Sequence, residues 1–140
     1  MRSGVSTVQI DFDLEERFQR LRAELGVESF GLNLIRLAPR QRSRIHRHER
    51  QEEVYAVLEG TLTVETSEAE SFELGRGAVA RVGPDVRRRL VNRGREAVFL
   101  LAIGGHEPPH EGRDGLAYES WAATESRPPQ EIELPKDLPL

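Results

Sequence analysis

Between residues 29 and 103 one short run of β-forming residues follows another, each closed by glycine, proline or a polar turn. This rhythm limits the fold more than any other feature. Residues 29–37 alternate, with Phe30, Leu32 and Leu34 on one face, and Ala38-Pro39 closes the run. Further runs follow at 46–48, 54–58, 61–66, 72–74, 78–82, 86–92 and 97–103, divided by turns such as Gly75-Arg76-Gly77, Gly83-Pro84-Asp85 and Arg93-Gly94-Arg95-Glu96. Seven or eight strands of this length at regular spacing predict an all-β sandwich or barrel. Gly60 separates two of the runs, and a hairpin across it is expected. With 37% hydrophobic residues, 12 Gly and 8 Pro, the 140 residues suit one domain of strands and turns.

The flanks differ in pattern. Residues 8–12 form a weak strand candidate. In residues 13–25, Leu14, Phe18, Leu21 and Leu25 share a helical face, Asp13 and Glu16 have capping-box spacing, and Gly26 stands where a helix ends. A short amphipathic helix is expected there. After residue 103 the composition becomes loop-like. Residues 116–123 read as a helical turn carrying Tyr118 and Trp121, and residues 127–140, with four prolines, read as an extended tail. The expected layout is an N-terminal extension at 1–29, a barrel at 30–103 and a loop-rich extension at 104–140.

A net charge of −4 argues against generic binding to nucleic acid or to an acidic membrane surface. Without cysteine the chain has no disulfide, no thiolate zinc site and no thiol nucleophile. The start lacks a signal-like apolar region, and the longest apolar run, 97–103, is too short to span a bilayer. A soluble cytoplasmic protein is expected.

The chemistry concentrates in one stretch, H-R-H-E-R-Q-E-E-V-Y-A-V-L-E-G, from His46 to Gly60. On an extended segment His46 and His48 point to the same side, and a bend at 49–52 brings Glu53 back to them. Two imidazoles and a carboxylate are a metal-site inventory. Tyr55 shares the parity of Glu53, so it either orients a ligand through its hydroxyl or fills the core. Arg42 and Arg44 share the parity of the histidines; they either make the cavity basic and suited to an anionic ligand, or flank a turn and face solvent. Arg87 and Arg89 are expected in solvent. His106 and His110 are loop histidines with a possible reach to the barrel mouth.

These residues resemble the first motif of the cupin superfamily, in which two histidines flanking one residue are followed by a glutamate and then a glycine. His46, His48, Glu53 and Gly60 match it residue by residue. The second motif is looser, with Gly77, Pro84 and Asn92 in place. The resemblance implies a double-stranded β-helix, or jelly-roll barrel, that commonly pairs as a homodimer. It also implies that His46, His48 and Glu53 bind a divalent transition metal such as iron, manganese, nickel or zinc. Oxygenase, isomerase and hydrolytic chemistries all occur in such proteins.

The family's second-motif histidine falls at Arg88. A guanidinium about 5 Å from a divalent ion is repelled by roughly 6 to 7 kcal/mol at an effective dielectric near 20. Arg88 therefore turns away, meets a bound anion, or pairs with Glu53 in place of the metal. Two functional expectations follow. One is a barrel binding a divalent metal and a small anionic organic molecule, with Arg88, Tyr55 and Arg44 toward the ligand. The other is a metal-free binding or sensing module built on an Arg88/Glu53 polar centre.

Overall fold

The computed structural model describes residues 4–106 and 113–139. Its described elements are β1 (Phe18–Gln19), α1 (Leu21–Leu25), β2 (Gly31–Leu37), β3 (Ile45–His48), β4 (Glu52–Glu59), β5 (Leu62–Glu65), β6 (Ser71–Leu74), β7 (Val79–Val82), β8 (Arg89–Val91), β9 (Val98–Gly105) and β10 (Gly115–Tyr118), with a 3-10 turn at Pro129–Glu131.

Two faces enclose the core. One is a five-stranded sheet in the order β1-β2-β9-β4-β7. The other joins the pair β10-β3 to the three strands β6-β5-β8 through isolated bridges from His46 to Arg88 and from Arg42 to Val91. All the strand pairs are antiparallel. Alternation decides what points inward: Tyr55 and Val57 of β4 and Val98, Leu100 and Ala102 of β9 meet Leu62 and Val64 of β5 in the main core. Burying a leucine of this kind contributes roughly 1.5–3 kcal/mol.

The hairpin expected across Gly60 does not form. β4 pairs with β7 and β9, whereas β5 pairs with β6 and β8, so the chain changes sheets at Gly60. The crossing needs glycine: φ is +79°, and a Cβ would lie 2.7 Å from the Ala97 carbonyl oxygen.

The N-terminal helix is also shorter than its periodicity suggests. Only Leu21–Leu25 is helical, while Phe18 and Gln19 pair with Ile35 and Leu34. The free edge of β2 offers hydrogen bonds that outweigh helix propensity here, and Phe18 stays exposed instead of joining an apolar face. Gly26 ends the helix in the left-handed conformation, as expected. Residues 8–12 form no strand; Val8 and Ile10 pack beside Leu21, Leu34 and Phe99 on the outer side of the large sheet.

Beyond the barrel, residues 115–118 form a strand on β3, not a helical turn, with Gly115 opposite His48 and Tyr118 opposite Ile45. The proline-rich segment then lies along its own chain. Arg42 donates twice to the Lys136 carbonyl, at 3.0 and 2.8 Å, and the Leu138 amide donates to the Arg40 carbonyl. Among the described residues no helix is long and apolar enough to cross a membrane.

Candidate functional site

β3 and β4 carry the site for reasons of strand parity. His46 and His48 alternate with buried Ile45 and with Arg47, whose Nε donates to the Tyr118 hydroxyl, so both imidazoles turn to the opposite side. On β4, Glu53 shares the inward face of Tyr55 and Val57. The imidazole rings stand edge to face with centroids 5.5 Å apart.

Everything converges on one carboxylate oxygen. Glu53 Oε1 lies 3.6 Å from His46 Nε2 and 3.2 Å from His48 Nε2. It accepts hydrogen bonds from the Tyr55 hydroxyl at 2.5 Å and from Arg88 Nη2 at 2.7 Å. Arg88 is 0% exposed. Its Nη1 donates to the carbonyls of Val86 at 2.7 Å and Gly83 at 3.3 Å, and its Nε donates to Tyr55 Oη at 3.2 Å. Arg88 thus forms an ion pair with Glu53 and does not turn away from the site.

The outward nitrogens of the histidines are fixed as well. His46 Nδ1 lies 3.1 Å from the Arg44 carbonyl, and His48 Nδ1 lies 2.7 Å from Asp114 Oδ1. Both Nδ1 partners are acceptors and Glu53 is another acceptor on the Nε2 side, so with Nδ1 protonated each Nε2 presents a lone pair to the centre in the neutral ring and an N–H to Glu53 in the charged ring. His48 Nε2 is buried 3.2 Å from Glu53 Oε1 and makes no hydrogen bond of good geometry.

The protonation states follow from these contacts. Burial alone would raise the Glu53 carboxyl, but N–H donation and positive charge from His46 and His48 in their charged form hold it well below the ordinary carboxylate range. Burial pushes the Tyr55 phenol up, with the Glu53 charge adding to the effect. For His48 burial acts downward, yet Glu53 and Asp114 prevail and its pKa is raised. Arg88 likewise loses to burial and gains more from Tyr55 and Glu53, so it stays a cation.

The donor set fits a divalent metal. Among the described residues, His46, His48 and Glu53 are the group whose ligand atoms all lie within 4.8 Å of one another, and His48 Nε2 is buried without a hydrogen-bond partner.

Other sequence candidates lie elsewhere. Arg44 enters the site only through its backbone carbonyl, because its Nε donates to the Ile132 carbonyl at 2.6 Å. Its side chain, like that of Arg42, is committed to the C-terminal segment rather than to the cavity. Arg87 is not a solvent arginine: it stacks 3.6 Å over the Tyr118 ring and donates to the Ala123 carbonyl. Arg89 is half-buried beside Arg42 and Glu65. His106 is not in the ligand group, and His110 lies outside the described residues. Sequence reasoning missed Asp114. The one available signal was Asp114-Gly115 before Leu116-Ala117-Tyr118, which reads as a turn leading into a short strand.

Fold and site together define a double-stranded β-helix with a histidine-histidine-glutamate centre inside it. The sequence model of the cupin domain family matches residues 33–104, just over half of the chain. The chain belongs to the cupin family. Similar solved structures include a cupin protein from Bacteroides fragilis, with TM-score 0.65 and 18% identity over 80% of this chain and 92% of that one. A cupin 2 conserved barrel domain protein from Salinispora arenicola gives TM-score 0.63 and 20% identity over 75% and 92%. A sugar phosphate isomerase from a cupin superfamily, from Silicibacter pomeroyi, gives TM-score 0.60 and 24% identity over 84% and 79%. No curated protein matches the chain.

Proposed function

We propose that this small-molecule-binding barrel holds a divalent transition metal through His46, His48 and Glu53, with a small anionic organic ligand beside it near Arg88 and Tyr55. The observation that carries the reading is the shared orientation of the two imidazoles. Each sets Nδ1 against an oxygen acceptor and turns Nε2 toward Glu53, and one of those Nε2 atoms is buried without a hydrogen bond. When bound, the ion supplies Lewis acidity to a ligand oxygen.

Charge favours an anion as the ligand. Arg88 and Glu53 cancel, and Asp114 offsets half of a divalent charge, so with neutral histidines the loaded centre keeps a net positive charge. Four hydrogen bonds use four of the five guanidinium N–H donors of Arg88, leaving one on Nη2. Metal analysis of protein purified without chelator and then reloaded tests the reading. Wild type should take up close to one equivalent, and His46→Ala and Glu53→Ala should take up far less. Equal uptake by all three would overturn it.

A second reading rests on the 2.7 Å Arg88–Glu53 pair, which already occupies the carboxylate oxygen nearest both imidazoles. In that reading the centre is metal-free and the barrel is a binding or sensing module. Ligand binding that persists in chelator would favour it. By family resemblance we also propose a homodimer; light scattering of the purified protein should give twice the mass of 15.9 kDa, and a monomer mass would contradict it.

A further inference from the structure

We infer that Asp114, supplied from beyond the matched cupin domain, is a positioning residue that fixes the tautomer of His48 and so aims its Nε2 lone pair into the barrel centre. The inference rests on the metal-centre reading for its affinity readout alone.

The placement follows from backbone pairing. β10 lies antiparallel on β3 with Gly115 opposite His48, and the Glu49 amide donates to the Asp114 carbonyl at 3.2 Å. The Asp114 side chain is thereby held against the ring, and both its oxygens are used. Oδ1 lies 2.7 Å from His48 Nδ1, while Oδ2 accepts hydrogen bonds from the amides of Arg50 at 2.7 Å and Gln51 at 2.9 Å. An ionised carboxylate has only acceptors, so it admits one tautomer of the neutral ring. The same segment packs on the ring. A Cβ added at Gly115 would lie 3.7 Å from His48 Cε1 and 3.5 Å from Pro129 Cγ. His46 has no such dependence, because its Nδ1 meets the Arg44 backbone carbonyl.

Asp114→Asn isolates this role with little change of shape. An amide offers one acceptor and one NH2 group. Keeping the two backbone amides of Arg50 and Gln51 on the oxygen puts the NH2 against His48 Nδ1, which must then become the acceptor and move its proton to Nε2.

The experiment has two readouts. Long-range 1H–15N correlation spectra of the metal-free protein, recorded where the histidines are neutral, report the tautomer. Cobalt(II) titration followed by visible absorption reports affinity. Wild type should show His48 protonated on Nδ1, and Asp114→Asn should show it protonated on Nε2, with cobalt bound roughly 10- to 100-fold more weakly. Wild-type His48 protonated on Nε2 would overturn the inference without any variant. So would an Asp114→Asn protein that keeps the wild-type tautomer and cobalt affinity. Should wild type take up no cobalt, the metal reading fails, and the tautomer spectra still decide the role of Asp114.

Discussion

Arg88→Met asks what the buried arginine does for the fold. The guanidinium is 0% exposed and Glu53 keeps 14% side-chain exposure, so removing the cation leaves a nearly dry carboxylate facing only the Tyr55 hydroxyl and two imidazoles. Breaking a buried pair in this way costs about 3–5 kcal/mol, and the residual exposure of Glu53 favours the lower end. At about 2.1 cal/mol/K per residue, the 140-residue chain unfolds with an entropy of about 0.29 kcal/mol/K, so 3 kcal/mol lowers Tm by about 10 °C. The assay is thermal unfolding by circular dichroism in chelator. Two controls frame it. Arg81→Met removes the exposed Arg81–Glu52 pair, at 65% and 55% exposure, and should shift Tm by no more than about 3 °C. Adding Glu53→Gln to Arg88→Met should restore part of the loss, because a neutral amide needs no counter-charge. If Arg88→Met melts within about 3 °C of wild type, or if the second substitution restores nothing, the centre is not held by a buried charge pair.

Three further outcomes are expected. Arg88→His replaces the cation by a potential ligand, and cobalt affinity should rise at least tenfold in titrations; unchanged affinity would mean that Arg88 does not bear on the metal position. Gly60→Ala forces a left-handed alanine against the Ala97 carbonyl and should lose more than about 2 kcal/mol, or about 7 °C in Tm, whereas Gly4→Ala, also at positive φ but with open space around it, should lose less. For metal-free protein, Glu53 and Asp114 both have folded pKa values below their ordinary ones, so the stability they contribute is present above the usual carboxylate range near 4 and is lost as pH falls through the lowered values. Urea midpoints measured at decreasing pH should fall in that window, and Glu53→Gln should flatten the decline.

The site was legible where strand parity alone decides it. His46, His48, Glu53 and Tyr55 lie on two strands whose alternation is visible in the sequence, and their spacing was enough to place them on one inner face. Arg88 was ambiguous because three partners were chemically open to it, and the nearby acceptors at Val86 and Gly83 depend on how the turn before β8 folds. Asp114 was out of reach, since its partner His48 is 66 residues earlier and they meet only through β10 pairing with β3. In the fold, the helical period of 13–25 gave way to edge pairing at Phe18–Gln19. A local turn signal at Gly60 likewise concealed a change of sheet, because a glycine in the left-handed region serves either purpose.

The most direct test of the central claim is anomalous diffraction from crystals grown with cobalt(II) or nickel(II), recorded at the metal edge. One strong peak is expected within bonding distance of His46 Nε2, His48 Nε2 and a Glu53 carboxylate oxygen, with Arg88 still buried beside that carboxylate. A barrel centre without a peak, with Arg88 and Glu53 paired as they are here and metal bound elsewhere or nowhere, would contradict it.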